Sequence, residues 1–409
     1  MTAAARAAAE AAARDSYGRL VAWLTARTRN IAAAEDALSD AFAAALEHWP
    51  REGPPASPDA WLLTAARRKL IDAGRRASVR KALEPDLIRA IEEAADLGAE
   101  APVADERLNL LLICAHPAID ESVRTPLMLQ TVLGLDAARI ASAFLVSPTA
   151  MGQRLVRAKR KIAEARIPFG APDTDELAPR AEAALDAIYA AFGAGYDDAA
   201  GENGGADLSR EAIFLAGLAA RLLATNAEAW GLLSLMTFIE ARRAARRAAG
   251  RYVPLDEQET ALWDLKSIAA AEETLAQAAR LKSPGRFQFE AAIQSAHVSA
   301  RLTGADTRAA IVRLYDRLLA AAPSTGAEIA RAGALLKAGR AAEALTALDA
   351  VDQDRIVSHQ PYWATRAHAL AACGDKEGAS AAFDRAIGLS SDPAARAFLA
   401  EAKASISAS

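Results

Sequence analysis

The stretch SPTAMGQRLVRAKRKI, Ser147–Ile162, carries five cations (Arg154, Arg157, Lys159, Arg160 and Lys161) and no anion. The 409-residue chain around it has a formal net charge of −4. Ser147 is a good N-cap and Pro148 suits the first helical position, so the stretch begins a helix. Met151, Leu155, Ala158 and Ile162 then recur at helical spacing as one apolar stripe. Thr149, Gln153, Arg157 and Arg160 fall on the opposite face, flanked by Arg154 and Lys161. Upstream, LDAARIASAFLV opens with Asp136 as a cap and is expected to bury Ile140, Ala141 and Phe144. Two short helices joined by a tight turn at Leu145–Ser147 make a helix-turn-helix, whose second helix suits a major groove. Gln and Arg read base edges, while cations at the far end suit phosphates. The competing reading is a solvated basic helix. The capped partner helix weighs against it, as does the lack of an acidic residue at i−4 of these cations.

Outward from this stretch, composition sets the class. Hydrophobic residues make up 52% of the chain and aromatics only 5%, with alanine filling much of the apolar count. Alanine is the best helix former, and long runs of Val, Ile and Thr are absent, so the chain is expected to be all-α. The length implies two or three domains. Two cysteines, Cys114 and Cys373, make no disulfide framework and fit a reducing cytoplasm. The Ala-rich start is broken by Arg6, Glu10, Arg14 and Asp15 and lacks a signal-peptide core. No run reaches the ~18 apolar residues of a membrane span.

The first block, residues 1–81, contains AAAEDALSDAFAAALEHWP. One helix there separates an apolar stripe (Leu38, Phe42, Ala45, Trp49) from an acidic one (Asp36, Asp40, Glu47) that is either solvated or docks on a basic partner. Ser57–Pro58 starts the next helix, in which Trp61, Leu62, Ala66 and Leu70 pack. Arg67, Arg68, Lys69, Arg75, Arg76, Arg80 and Lys81 form a second basic patch, interrupted by Asp72. An acidic linker, 82–105, separates this patch from the helix-turn-helix block, 106–168. The tether is roughly 25 residues and reaches ~80 Å if extended.

PFGAPDTDELAP marks a boundary through Pro168, Gly170, Pro172 and Pro179. Residues 169–409 beyond it show helix-pair periodicity. Trp363, Ala367, Leu370, Gly374, Ala379, Phe383 and Ala386 sit at tetratricopeptide-like offsets, and Leu335, Gly339, Ala344 and Leu348 match them. Tyr315, Leu318 and Pro323 fit the second helix of a further unit. Such repeats bind proteins and carry no chemistry of their own. YDDAAGENGGADLS, Tyr196–Ser209, reads as an exposed loop, with Asp197 and Asp198 in a turn. Arg242, Arg243, Arg246 and Arg247 are expected to be solvated or paired between domains. Cys114 and His116 have no second Cys/His pair nearby for zinc and read as packing at a helix end. No phosphate-binding loop, metal constellation or nucleophile–base set emerges, so neither catalysis, metal nor cofactor is expected.

The order of these parts resembles an extracytoplasmic-function sigma factor of bacterial RNA polymerase. The resemblance rests on the acidic/apolar helix, AWLLTAARRKLIDAGRR, a spacer and a terminal helix-turn-helix ending RLVRAKRKI, and covers Tyr17–Ile167. ICAHPAI, FLVSPTAMGQRLVRAKRKIAEARIPF and FGAGYDDAAG resemble the subgroup with a tetratricopeptide-like C-terminal extension. The resemblance implies a sigma-2 helical domain, a sigma-4 helix-turn-helix domain and the repeat extension. It implies that Asp36, Leu38, Asp40 and Phe42 dock on the β′ clamp helices of core RNA polymerase. Trp61, Arg67, Arg68, Lys69, Asp72, Arg75 and Arg76 would melt and read the promoter −10 element. Ser147, Thr149, Gln153, Arg154, Arg157 and Arg160 would serve the −35 element. Many relatives have Asn where this chain has Arg68, which leaves −10 base choice open. A protein partner of the extension and a cytoplasmic location follow from the same resemblance. The alternative is a helix-turn-helix regulator with a repeat-type interaction domain.

Overall fold

In a computed structural model, the chain is described for residues 3–78, 105–144, 146–165, 167–170, 174–197, 205–248, 250–352, 356–390 and 392–408. These residues are almost wholly helical, as the composition implies, and divide into two compact units, Met1–Leu215 and Ala216–Ser409.

The first unit opens with α1 (Ala3–Thr28), α2 (Ile31–Glu52) and α3 (Pro58–Ser78). Asn30 caps α2 by accepting from the Ala33 amide at 3.1 Å, and Gly53 ends it at φ 83°. Leu20, Val21, Leu38 and Leu62 are fully buried where the three helices meet. Then follow α4 (Arg107–Cys114), α5 (Glu121–Leu133), α6 (Ala137–Ala143), α7 (Pro148–Glu164), α8 (Thr174–Asp197) and α9 (Gly205–Leu222). Asp120 caps α5 and Gly134 ends it in the left-handed region. Asp136 caps α6, accepting from the Arg139 amide at 2.8 Å. Ser147 caps α7 through the Ala150 amide at 3.2 Å.

The two N-terminal blocks, which the sequence ties by a linker, pack directly on each other. Helix α1 lies on α4 and α5, and α2 lies on α7. At Gly18 the approach is so close that a Cβ would collide with the Val132 carbonyl oxygen, and Gly134 leaves room for the Tyr17 ring. Helix α8 also packs on α4 and α5, with the Thr125 hydroxyl donating to the Ala187 carbonyl at 2.8 Å. The division between units therefore falls at Leu215, inside α9, well past the boundary read at residue 168.

Three sequence expectations change. Pro179 lies inside α8, because a proline early in a helix removes one N–H bond without ending it. The Tyr196–Ser209 loop is narrower: α8 runs to Asp197 and α9 starts at Gly205. Leu208 and Ser209 are buried, since Leu208 begins the apolar face of α9. Asp198 and Leu145 lie outside the described residues, as does the linker over 79–104.

The second unit contains α10 (Ala227–Glu240), a short hairpin of β1 (Arg247–Ala248) and β2 (Arg251–Tyr252), α11 (Leu265–Arg280), α12 (Arg286–Thr303) and α13 (Arg308–Ala321). It ends with α14 (Thr325–Lys337), α15 (Ala341–Asp349), α16 (Gln360–Ala372), α17 (Lys376–Leu389) and α18 (Pro393–Ala408). From α10 onward each helix packs chiefly on its near neighbours in sequence. Two links repeat in detail. Gly339 (φ 77°) follows α14 and Gly374 (φ 87°) follows α16. In both, the amide after the glycine returns to a leucine carbonyl, Arg340 to Leu335 at 2.9 Å and Asp375 to Leu370 at 3.0 Å. Ala344 and Leu348 then bury themselves as Ala379 and Phe383 do. The basic cluster is engaged inside this unit. Arg242 is buried with Nε on the Phe238 carbonyl, Arg243 pairs with Glu240 at 2.8 Å, and Arg247 pairs with Asp392 at 2.6 Å.

Alanine at either left-handed glycine is expected to cost about 1–2 kcal/mol. Chemical denaturation should show Gly339→Ala and Gly374→Ala destabilising the second unit equally and additively. A loss confined to one variant would mean the two links are not equivalent.

Candidate nucleic-acid interface

Helix α7 is built by its own sequence pattern. Met151, Leu155, Ala158 and Ile162 are all buried, and this anchors the helix on α5 and α6. Thr149, Gln153, Arg157 and Arg160 are exposed on the other side, while Arg154 is half-buried. Arg157 Nε donates to the Gln153 carbonyl at 3.2 Å, which holds its guanidinium along the open face. Arg160 lies 3.5 Å from Glu164. A cavity of about 360 Å³ between α7 and the start of α5 is lined by Arg154, Arg157, Lys161, Asp120 and Ser122. The structure thus gathers Gln153, Arg157 and Arg160 on one surface and turns Arg154 toward its edge. Phe144, read as buried, is half-buried.

The fifth cation, Lys159, points inward. It pairs with Glu35 of α2, and the two side chains are only 10% and 13% exposed. Burial raises the Glu35 carboxyl above its ordinary pKa, and the Lys159 charge and hydrogen bond oppose the rise. Glu35 Oε1 is buried without a hydrogen-bond partner. Neither residue stands out in the sequence: Glu35 is one of several acids on α2, and Lys159 one of five cations on α7. The available signal was that Lys159 follows Ala158, on the border of the apolar stripe.

On α2, Asp36 and Asp40 are exposed, along with Glu47. Phe42 is half-buried. Leu38 is fully buried in the middle of the apolar stripe, unlike Asp36 and Asp40 on the same helix. On α3, Arg68 and Lys69 are exposed, and Lys69 lies 3.5 Å from Asp40. Arg67 instead packs on α1. Its guanidinium lies 4.3 Å from the Trp23 ring centroid and that of Arg27 lies 3.3 Å from it. Burial lowers the pKa of Arg27, and the neighbouring Arg67 charge adds to this. Arg67 Nε is buried and unpartnered. Arg67 therefore works as a packing residue more than as an open DNA contact. Trp61 stands edge-on to Trp49, with centroids 5.5 Å apart. Asp72 is exposed, and the side chains of Arg75 and Arg76 fall outside the described residues.

Cys114 ends α4 fully buried, its thiol 3.5 Å from the Thr131 hydroxyl. Burial pushes the thiol pKa up to about 12. His116 Nδ1 accepts from the Ala118 amide at 3.0 Å. Both are engaged locally, as packing at a helix end requires. In the second unit a cavity of about 270 Å³ is lined by Asp256, His297, Arg308 and Lys337 among others.

Residues 13–80 match sigma-70 region 2. Uncharacterized protein R00370 of Rhizobium meliloti (strain 1021) is 36% identical over 378 residues, which cover 91% of this chain and 89% of that protein. This chain belongs to one family with R00370, and its sigma-70 region 2 domain indicates an RNA polymerase sigma factor. Residues 180–279 match a family of unknown function, DUF6596, and no solved structure matches the chain. The region 2 domain implies binding to core RNA polymerase and promoter DNA, and the sigma factors it is typical of are transcription initiation factors. No helix among the described residues is long and apolar enough to cross a membrane.

Two measurements check this assignment of roles. Leu38→Ala should lower the stability of the sigma factor by about 2–5 kcal/mol, while Asp36→Ala should stay within about 0.5 kcal/mol of wild type, both read by urea unfolding. The second concerns His297. Burial holds its pKa down at about 4 against an ordinary 6.5; the Lys337 and Arg242 charges add to the depression and Asp256 opposes it. Between those values the unfolded chain binds a proton that the folded chain does not. Stability should therefore fall as pH drops from about 6.5 to about 4 and then level off for this group. In a pH series of unfolding curves, His297→Gln should remove that component and leave the carboxylate component in place.

Proposed function

We propose that this sigma factor is of the extracytoplasmic-function type and acts in the cytoplasm with its polymerase. Residues 1–81 serve as the sigma-2-like domain and 106–168 as the sigma-4-like helix-turn-helix, joined by the acidic linker 82–105. Residues 169–409 serve as a tetratricopeptide-like extension that regulates or scaffolds the factor through a protein partner. The observation that carries the reading is the two-faced helix α7, with its buried stripe and open Gln153/Arg157/Arg160 face, in a chain that also has sigma-70 region 2.

Asp36 and Asp40 meet the β′ clamp helices, with Phe42 beside them. Arg68 and Lys69, next to Trp61 and followed by Asp72, Arg75 and Arg76, face the −10 element. Arg67 supports them from its stack on Trp23. Thr149, Gln153 and Arg157 face the −35 bases, with Ser147, Arg154 and Arg160 at the phosphates. Opening the −10 strand costs a few kcal/mol of unstacking, which binding of the open strand offsets. The repeated left-handed links after α14 and α16 support the helix-repeat reading of the extension.

Run-off transcription with purified core polymerase tests the proposal: initiation should depend on this chain. Duplex binding without polymerase-dependent initiation would instead identify a helix-turn-helix regulator. In the same assay, Arg157→Ala should cost about 1–3 kcal/mol and relax −35 selectivity. Arg160→Ala should weaken all promoters alike and reduce the salt slope by about one.

A further inference from the structure

In the second unit α12, α13 and α14 pack in sequence. They leave a cavity of about 270 Å³ that also touches the 3₁₀ turn Leu255–Glu257. Its inner side is apolar. Ile311 of α13 and Ala334 of α14 are buried, and Ala300 of α12 adds a third apolar wall. The alanine side chains are too short to close the gap between the helices. An unfilled void forfeits dispersion contacts on its lining, so a ligand that enters recovers them. The volume is just under the roughly 300–1,000 Å³ usual for small-molecule sites, which makes the ligand a small one.

The polar groups around the cavity hold donors that the protein does not use. His297 of α12 lines it and makes no hydrogen bond among the described residues. The ring is neutral near neutral pH, because burial and the facing Lys337 and Arg242 charges hold its pKa at about 4 against the opposing Asp256. A neutral imidazole offers one donor and one acceptor. Lys337 ends α14 and gives a hydrogen to Asp256 at 2.5 Å, which leaves the rest of its ammonium donors. Arg308 opens α13 and uses Nε and Nη2 on Asp306, both at 2.9 Å, which leaves Nη1. Lys337, Asp256 and Arg308 are exposed and form the rim.

The start of α13 has the same polarity. Thr307, its N-cap, turns its hydroxyl to the Ala296 carbonyl at 3.0 Å and leaves the helix without a side-chain cap. A helix N-terminus favours negative charge, and both Thr307 and Arg308 line the cavity. At His297 the Lys337 and Arg242 charges each act more strongly than Asp256, so the local field is positive. A cation is disfavoured there, and the described residues hold no group of three or more His, Cys, Asp or Glu suited to a metal ion.

We infer that this cavity binds a small organic carboxylate, with its charged end on Lys337, Arg308 and His297 and its apolar body against Ile311, Ala300 and Ala334. The second unit is then a ligand-binding module as well as a helical array. The inference stands apart from the sigma reading, since every residue it uses lies within Ala216–Ser409.

The test uses the full chain with isotope-labelled histidines in nuclear magnetic resonance near neutral pH. His297 is assigned as the signal that His297→Gln removes. Hexanoate is the probe, with hexanamide, hexylamine and inorganic phosphate as comparisons. The His297 signal should shift saturably with hexanoate. Hexanamide should bind about ten-fold or more weakly, since it lacks the charge-assisted bonds, and hexylamine and phosphate should not saturate. Lys337→Met should weaken hexanoate about ten-fold or more. Ala334→Leu fills the cavity and should abolish the shift. Circular dichroism checks that both variants stay folded, and Lys337→Met, changed at an exposed position, decides the matter if Ala334→Leu unfolds. No saturable shift with hexanoate overturns the site. Equal binding of hexanamide, or binding of phosphate in place of hexanoate, overturns the ligand class. Wild-type affinity in Lys337→Met, or in a folded Ala334→Leu, overturns the placement in this cavity.

Discussion

Helix α1 lies against the backbone of α5 because Gly18 has no side chain. The same helix packs on α4, and its neighbour α2 packs on α7. With α1 seated, Tyr17 covers Gly134, α2 is brought beside α7, and Glu35 meets Lys159 away from water. Backbone-on-backbone packing of this kind does not adjust by small steps, because protein interiors are close-packed.

Helix α7 was the most legible part of the sequence. Its cap, its proline and its four-residue apolar stripe agree with one another, and each local choice matches the packing observed. Gly339 and Gly374 were legible only as matching offsets, and the structure puts both in the left-handed region after a helix. Leu38, placed on the apolar stripe by its spacing, is buried as that spacing implies. Arg67 shows the limit of such reading. It lies four residues after buried Leu63 at the edge of the apolar stripe while Arg68 lies opposite, but the ring it packs on, Trp23, belongs to another helix. The Glu35–Lys159 pair joins residues far apart in the chain. Periodicity reports which face of a helix is buried, but not which helix covers it.

The same limit explains the boundary near residue 168. Proline and glycine mark where the backbone leaves a helix, and the stretch before α8 does so. Domain division depends instead on where apolar surface is buried. Thr125 reaches across to Ala187, and Ala184, Ile188 and Phe192 bury themselves in the first unit. A break in the chain and a break in the core are separate facts, and only the first is written locally.

Charge on α7 closes the argument about how an acidic chain holds DNA. Of its five cations, Lys159 is neutralised by Glu35 and Arg160 lies beside Glu164. Lys161 and Arg154 share their cavity with Asp120. Arg157 lines the same cavity and donates to the Gln153 carbonyl, and Arg157, Arg160 and Lys161 all remain exposed. Affinity for duplex rises with the number of phosphates neutralised. Arg157, Arg160 and Lys161 stay exposed on α7, as do Arg68 and Lys69 on α3, so two local patches present positive charge that the net charge of −4 conceals.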